Sequence, residues 1–517
     1  MSTIDAVVIL IYCTAVAVIG IRAGGRQRNA DDFFLGGREL PWWAVCFSVV
    51  ATETSTLTVI GIPAVAYLGA FTFLQLAIGY IIGRFVVAYV LLPRYFRGEM
   101  KTAYAYLGER FGPAMRSTAS VTFLVTRLLA DGVRLFATAI PLKLIADASG
   151  WNASYGSIII LIGLLTIAYT LVGGIRAVVW MDVMQMFIYI GGALIAAALL
   201  MGSLPDDWWV TARAAGKTQI FDFASNFPLR SLLTSPYAFV TAVAGGAVLS
   251  IASHGSDHLI VQRLLSCKTL TDGRRAIIVS GFVVAAQFAL FLMLGVLLWS
   301  HYEGLTPIQL GLTRGDEIFP YYILTVMPTG IAGLLIAGIV AAAMSTLSSS
   351  LNSLASSTVF DLEPMWRPLR RRFDSLGERS DLWLGRFITG FWGIVFMGFA
   401  SLFTQIENSV VVLGLSIASF TYGGLLGGFV LGIVNPRARQ GDAIIALVVA
   451  VFAMLLVGLI RLSPDGALGI TLPGSDNTLV PKEWMPIAWP WYPVIGTAIS
   501  VLTGSLLALR HHADRAV

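Results

Sequence analysis

Trp42-Trp43-Ala44-Val45-Cys46-Phe47-Ser48-Val49-Val50-Ala51-Thr52-Glu53-Thr54-Ser55-Thr56-Leu57-Thr58-Val59-Ile60-Gly61-Ile62-Pro63-Ala64-Val65-Ala66-Tyr67 is the stretch that decides the fold. A bilayer core of roughly 30 Å is crossed by about 20 apolar helical residues, and this segment is long enough. Yet its middle, Ala51 to Thr56, is polar, and Gly61 and Pro63 weaken the second half. Hydroxyls alone suit a continuous membrane helix, because Ser and Thr bond back to their own carbonyls. A carboxylate does not. Glu53 among hydroxyls and helix-weakening residues points to an unwound mid-membrane segment whose freed carbonyls face a cavity rather than lipid.

Two further apolar stretches are interrupted. Ala341-Ala342-Ala343-Met344-Ser345-Thr346-Leu347-Ser348-Ser349-Ser350 places Ala342, Ser345 and Thr346 on one helical stripe, with Ser345, Ser348 and Ser349 on an adjoining one. Hydroxyl and carbonyl oxygens are hard ligands suited to an alkali cation, and neither this stretch nor Ala51–Thr56 offers the His or Cys that zinc or copper would take. Small-residue helix packing accounts for the same composition, with Gly333 and Gly338 nearby. Ser253-His254-Gly255-Ser256-Asp257-His258, after Gly245-Gly246, marks a second candidate broken helix. Arg127, Asp131 and Arg134 sit at helical spacings that let one carboxylate serve two guanidiniums. Arg134 thereby becomes a candidate fork for a solute carboxylate.

The rest of the chain agrees with a membrane setting. Of 517 residues 57% are hydrophobic and 12% charged, the mean hydropathy is +0.80, and 52 glycines and 13 tryptophans suit packed helices with interfacial anchors. A nucleic-acid-binding protein or a cytosolic enzyme is excluded. Cys13, Cys46 and Cys267 form no disulfide framework or metal cage. Hydropathy predicts thirteen spans, near 4–22, 42–69, 71–96, 117–147, 155–172, 180–202, 236–256, 276–300, 329–353, 386–404, 409–433, 441–460 and 490–509. The first is read as a retained span, lacking the basic flank and cleavage site of a signal peptide. Alternate loops differ strongly in Lys and Arg, 24 against 6 with four more inside spans. By the positive-inside rule the amino terminus lies outside, and His511, His512 and Arg515 lie in the cytoplasm of a multi-pass cell-membrane protein. Arg367, Arg370, Arg371 and Arg372 in the longest interior loop read as orientation determinants beside anionic lipid.

The two broken helices begin consecutive five-span blocks, and an odd count inverts the second block relative to the first, the pattern of an inverted-repeat transporter that binds at mid-membrane. The domains expected are residues 1–40, an accessory helix and loop; 41–203, the first repeat; 204–235, an external loop; 236–435, the inverted repeat; and 436–517, two accessory helices and a tail. Gly216-Lys217-Thr218 lacks the upstream glycine of a phosphate-binding loop, so an ion gradient is the energy source that remains.

At these residues the chain resembles the sodium/solute symporter family, which contains the sodium/proline and sodium/glucose cotransporters. The resemblance runs from Asp31 to about Asn435. It is carried by Asp32-Phe33-Phe34-Leu35-Gly36-Gly37-Arg38 with Pro41-Trp42-Trp43, and by Gly173-Gly174 through Trp180-Met181-Asp182-Val183-Met184-Gln185. Asp257 to Arg263, Asp316-Glu317-Ile318-Phe319-Pro320 and the Met344-Ser345-Thr346 helix complete it. The resemblance implies an all-α, leucine-transporter-type five-plus-five inverted repeat with Na⁺ as coupling ion. It implies one sodium site from the Ala51, Thr54 and Ala342 carbonyls with the Ser345 and Thr346 hydroxyls, and a second from Asp182, Ser345, Ser348 and Ser349. Glu53 stands where relatives carry Asp or Asn, and its role as ion ligand, proton acceptor or solute contact is open. Ser253-His254 replaces the Tyr-Trp pair of sugar carriers, which argues against a hexose.

The expected function is uptake of a small polar solute, a carboxylate or amino acid by preference, driven by inward Na⁺ movement through alternating access. Glu53, Arg134, Ser253, His254 and Asp257 are the candidate solute contacts. The partners implied are the solute, Na⁺ and the lipid bilayer, with no nucleic acid and no obligatory protein. Rival readings are proton coupling through Glu53, a passive channel or a membrane sensor. An enzyme is not expected, since no nucleophile–base or metal-ligand spacing is visible.

Overall fold

The computed structural model describes residues 2–25, 27–98, 100–148, 150–223, 229–363, 380–402, 410–463, 467–470 and 484–513. Arg367, Arg370, Arg371 and Arg372 lie outside them, as does Arg515. The chain is helical almost throughout. A small antiparallel sheet is the exception, with Ile460–Leu462 between Leu468–Ile470 and Met485–Pro486 and with Ile460 opposite Ile470. Eight described helices are long and apolar enough to cross a membrane, or nine if one bent pair counts as a single span. Thirteen segments are expected from hydropathy. The 49-residue helix Tyr155–Ser203 carries two of them end to end. Pro113–Ala148 holds Arg116, Arg127, Asp131, Arg134, Lys143 and Asp147, which lowers its apolarity.

Two compact units emerge. One consists of Met1–Phe71, Arg127–Gln219 and Gln262–Gly414; the other consists of Thr72–Thr126, Ile220–Val261 and Leu415–Val517. In the first, the decisive stretch is a broken helix, Trp42–Glu53 followed by Thr56–Leu68 after a bend of 64°. Thr54 and Ser55 between them are extended. Beside it runs Ile331–Asp361, in which every residue from Leu335 to Val359 is buried. An apolar run supplies the first half of that helix, and hydroxyl residues that bond to the preceding turn supply the second, as Ser348, Ser349 and Ser353 do. Its first turn is capped from another element, since the Gly330 and Gly333 amides donate to the Asp5 carboxylate at 2.7 and 3.0 Å.

The second unit contains the other interrupted helix. The chain passes through π-helical turns at Thr241–Gly245 and Ala252–Ser256 and becomes extended at Asp257. Gly79 and Gly83 let the Leu74–Val86 helix approach it. A Cβ on either would come within 2.4 Å of the Val243 or Ala247 carbonyl oxygen.

The Gly173-Gly174 element has a mechanical explanation within the first unit. Gly174 takes φ +57°, and a Cβ there would lie 2.5 Å from the Phe33 carbonyl oxygen. Two residues on, the Arg176 guanidinium donates twice to the Gly36 carbonyl, at 3.1 and 2.9 Å, and to Glu39 at 2.6 Å. The opening loop is thereby fixed to the break in the long helix, and Asp182 follows two turns later. Gly174→Ala combines a left-handed backbone with a steric clash and is expected to destabilise the protein by at least about 1 kcal/mol. Gly191, whose Cβ would meet nothing within 4 Å, provides the control. Equal thermal unfolding midpoints for Gly174→Ala and Gly191→Ala would remove this reading of the motif.

Candidate functional site

At the helix break the backbone ladder stops and restarts. Its last bond in the first half runs from the Thr54 amide to the Val50 carbonyl at 2.9 Å, and it resumes where the Thr58 and Val59 amides donate to the Ser55 carbonyl. The carbonyls of Ala51 to Thr54 therefore fall outside the ladder. Side chains pin the break in place. The Thr54 hydroxyl donates to the Val50 carbonyl at 2.8 Å and accepts from Gln287 Nε2 at 2.5 Å.

Contacts on either side of the break show what it faces. Thr56 Oγ1 donates to the Ile339 carbonyl at 3.2 Å, and Thr52 Oγ1 lies 3.3 Å from Ser349 Oγ. Residues 52–56 thus run antiparallel to 339–349, the segment that contains Ala342, Ser345 and Thr346. Thr346 Oγ1 donates to the Ala342 carbonyl at 3.2 Å. Hydroxyl lone pairs and unwound carbonyls on opposed elements form an oxygen-rich environment with a hard cation's preferences. Glu53 is half-buried at the last turn before the break.

Asp182, fully buried, anchors a second cluster. Its Oδ1 accepts from Ser345 Oγ at 2.6 Å, and its Oδ2 accepts from Ser48 Oγ at 2.5 Å and from Arg263 Nη2 at 3.3 Å. Arg263 Nε donates to Ser48 Oγ at 2.9 Å, and Nη2 also donates to Ser349 Oγ. Ser348 and Ser349 both donate to the Ser345 carbonyl, at 3.1 and 2.6 Å. The structure therefore brings Asp182, Ser345 and Ser349 together, with Ser348 a turn away. Sequence reasoning missed Arg263 and Ser48. Arg263 counts among the interior-loop charges when loops are read by hydropathy, yet it is fully buried beside Asp182. The adjacent Gln262, donating to the Phe34 carbonyl at 2.9 Å and to Asn352 Oδ1 at 2.7 Å, was the available signal, since a Gln-Arg pair this close to an apolar run has to be satisfied by protein.

Arg134 stands in a third group. Asp131, itself buried, accepts from Arg134 at 3.0 Å, Arg127 at 3.4 Å and the Ser350 hydroxyl. One carboxylate therefore serves two guanidiniums, as the spacing predicts. Arg134 and Asp131 line a narrow gap of about 10 Å³, room for about one water, together with Ser55 and Thr346. The guanidinium thus borders the same gap as the helix break and a hydroxyl of the first candidate cation site.

Ser253, His254 and Asp257 belong to the other unit. There His254 is buried and fully engaged: its Nε2 lies 2.9 Å from Arg84 Nη2, and its Nδ1 lies 2.8 Å from Ser253 Oγ and 3.2 Å from the Ser250 carbonyl. Asp257 Oδ1 accepts from the Leu259 amide at 2.9 Å, which caps the helix that follows the interruption.

The family model described as the sodium:solute symporter family matches residues 33–450. The chain is similar to sodium-coupled monocarboxylate transporter 1 of Xenopus laevis, at 27% identity over 98% of this chain and 85% of the relative. It is also similar to the sodium/iodide cotransporter of Homo sapiens, at 26% identity over 96% of this chain and 82% of the relative. Among solved structures it is similar to the substrate-bound outward-open state of a Na⁺-coupled sialic acid symporter, with 27% identity, a TM-score of 0.79 and 98% of both chains covered.

Removing the Asp131 charge leaves two guanidiniums facing one another in a largely dry setting. Asp131→Asn is expected to cost about 3 kcal/mol of stability, the range for breaking a buried ion pair from one side. Thermal unfolding in detergent tests it, and an unchanged midpoint would mean that this carboxylate does not hold the pair by charge.

Proposed function

The chain belongs to the sodium:solute symporter family, and from that premise we propose that its coupling Na⁺ is held by the Ala51, Thr54 and Ala342 carbonyls with the Ser345 and Thr346 hydroxyls, and that its solute is a small carboxylate or amino acid met by Arg134. The fold is that of a multi-pass, leucine-transporter-type sodium symporter. The reading of the sites rests above all on the interrupted backbone ladder at Ala51–Thr54 lying opposite the Ile339–Ser349 stretch. Freed carbonyls cannot stay unsatisfied at membrane depth, and an ion closes their bonding.

Arg134 supplies the solute argument. Arg134 is held by the Asp131 carboxylate that Arg127 also contacts, and it borders the gap beside Ser55 and Thr346. A solute carboxylate reaching Arg134 when that gap widens would meet a planar fork suited to bidentate pairing. The cargoes named for the similar proteins, a monocarboxylate, iodide and sialic acid, are anions or acids, and they support an anionic class without choosing a member of it. Glu53 lies in the last turn before the helix break, where ion ligand, proton acceptor and solute contact are its three candidate roles.

The loop charge asymmetry supports an outside amino terminus and a cytoplasmic carboxyl terminus, even with Arg263 removed from the interior tally. In this orientation Na⁺ enters from outside and ties the broken helix to the serine helix, favouring the arrangement that accepts solute. Rearrangement then exposes both to the cytoplasm. A tenfold sodium gradient contributes about 1.4 kcal/mol, and each net charge carried through 100 mV adds about 2.3, so one ion sustains a gradient of roughly 500-fold for a net-neutral amino acid but roughly tenfold for a monoanion, whose charge cancels that of the ion.

Uptake into proteoliposomes provides the test. Ser345→Ala and Thr346→Ala should each raise the sodium concentration for half-maximal uptake roughly tenfold, equivalent to about 1.4 kcal/mol of ion binding. Sodium dependence that stays at the native value in both variants would exclude the site. Arg134→Gln should raise the half-saturating concentration of a short monocarboxylate by roughly tenfold or more while leaving sodium binding in place. Unaltered solute affinity would transfer the carboxylate to another residue. Uptake in sodium-free buffer that follows the pH gradient would instead favour coupling through Glu53.

A further inference from the structure

The Asp182 cluster contains its own cation. Arg263 has no solvent-exposed side-chain surface, and neither does Asp182. The guanidinium touches three of the oxygens there: Asp182 Oδ2 at 3.3 Å, Ser48 Oγ at 2.9 Å and Ser349 Oγ. It is therefore seated on two of the groups, Asp182 and Ser349, that the family resemblance implies for a second sodium ion.

Charge decides what can share this space. Asp182 and Arg263 neutralise one another, so the cluster as built carries no net charge. Adding Na⁺ with Arg263 still in place would bury a net positive charge in a dry interior and set two cations against the same carboxylate, which protein interiors strongly disfavour. Moving the guanidinium away leaves the carboxylate, the Ser345 and Ser349 hydroxyl lone pairs and nearby Ser348, a hard-oxygen set fit for Na⁺.

We propose that the Arg263 guanidinium and Na⁺ are alternative occupants of the Asp182–Ser349 cluster, so that Arg263 sets how tightly this chain binds a second sodium ion. The proposal rests on the sodium-symport reading above and adds a residue that governs the ion count. When Arg263 stays seated, the protein moves with one sodium ion. When sodium displaces it, a second ion is carried and adds its own gradient and charge to the driving force, so that symport of a monoanion becomes electrogenic. Ser48 tethers the guanidinium through Nε without being one of the ligands assigned to the ion, and it is a positioning residue here.

The test is a sodium titration of the thermal unfolding midpoint of the purified full chain, paired with the charge-to-solute ratio in proteoliposomes. In a Thr346→Ala background, which weakens the first site, Arg263→Gln should bind sodium at least tenfold more tightly than the same background with Arg263. Ser48→Ala should shift in the same direction by less, and Arg263→Lys should stay near native. Adding guanidinium chloride at low millimolar concentration to Arg263→Ala should compete with sodium and restore the weaker native response. Sodium binding that is unchanged or weaker in both Arg263→Gln and Ser48→Ala would overturn the proposal. Should Arg263→Gln fail to fold, the Ser48→Ala titration decides alone. A native protein that sodium does not stabilise at all would instead refute the symport reading, so the two failures are distinguishable.

Discussion

A backbone that leaves its hydrogen-bond ladder inside a membrane protein has to find partners within the protein, because lipid offers none. That constraint acts here at Ala51–Thr54. Gln287 takes the Thr54 hydroxyl, and Thr52 and Thr56 reach across to Ser349 and Ile339. The neighbouring helix is in turn obliged to be polar where it meets the break and small where it passes close. The run from Ala341 to Ser350 meets both demands. Asp5 at the start of the same helix meets a further one, by taking amide groups that would otherwise point into a closed interface.

The acidic residues extend the same logic. Asp182 and Asp131 are buried, and each is surrounded by donors rather than left to a single counter-ion. Asp182 has two hydroxyls and a guanidinium; Asp131 has two guanidiniums and a hydroxyl. The two differ in composition: the first pairs one carboxylate with one guanidinium, the second sets one carboxylate between two. Both border the same serine-lined helix.

Much of this was legible in the sequence because membrane burial makes polar residues conspicuous. Glu53 among hydroxyls disclosed the break, and the three- and four-residue spacings of Arg127, Asp131 and Arg134 disclosed their pairing. Helical stripes placed Ser345 beside Thr346. Arg263 was misread for a physical reason. It lies close to a basic loop, and a count of loop charges cannot separate a side chain that faces headgroups from one that turns inward to a carboxylate 81 positions earlier in the chain. Ser48 was hidden in an apolar run. His254 and Ser253 stood out as polar residues in an apolar helix, and within their unit they meet Arg84 and a backbone carbonyl. The small sheet around Ile460–Leu462 carried no strand-length alternation that could have announced it.

The Gly173-Gly174 element shows how a sequence signature can serve a site that it never touches. Gly174 has to be glycine for its left-handed backbone and for the carbonyl of Phe33. Arg176 then ties the turn to the opening loop, and only afterwards does the helix deliver Asp182 to the serine cluster. Displacing the turn would rotate Asp182 on its helix, and a rotation of a few tens of degrees is enough to take a carboxylate out of reach of three donors at once. The rigidity of the motif is therefore a condition for the cluster's chemistry. Residues that form the cluster and residues that hold the turn belong to one signature because the turn sets where Asp182 points.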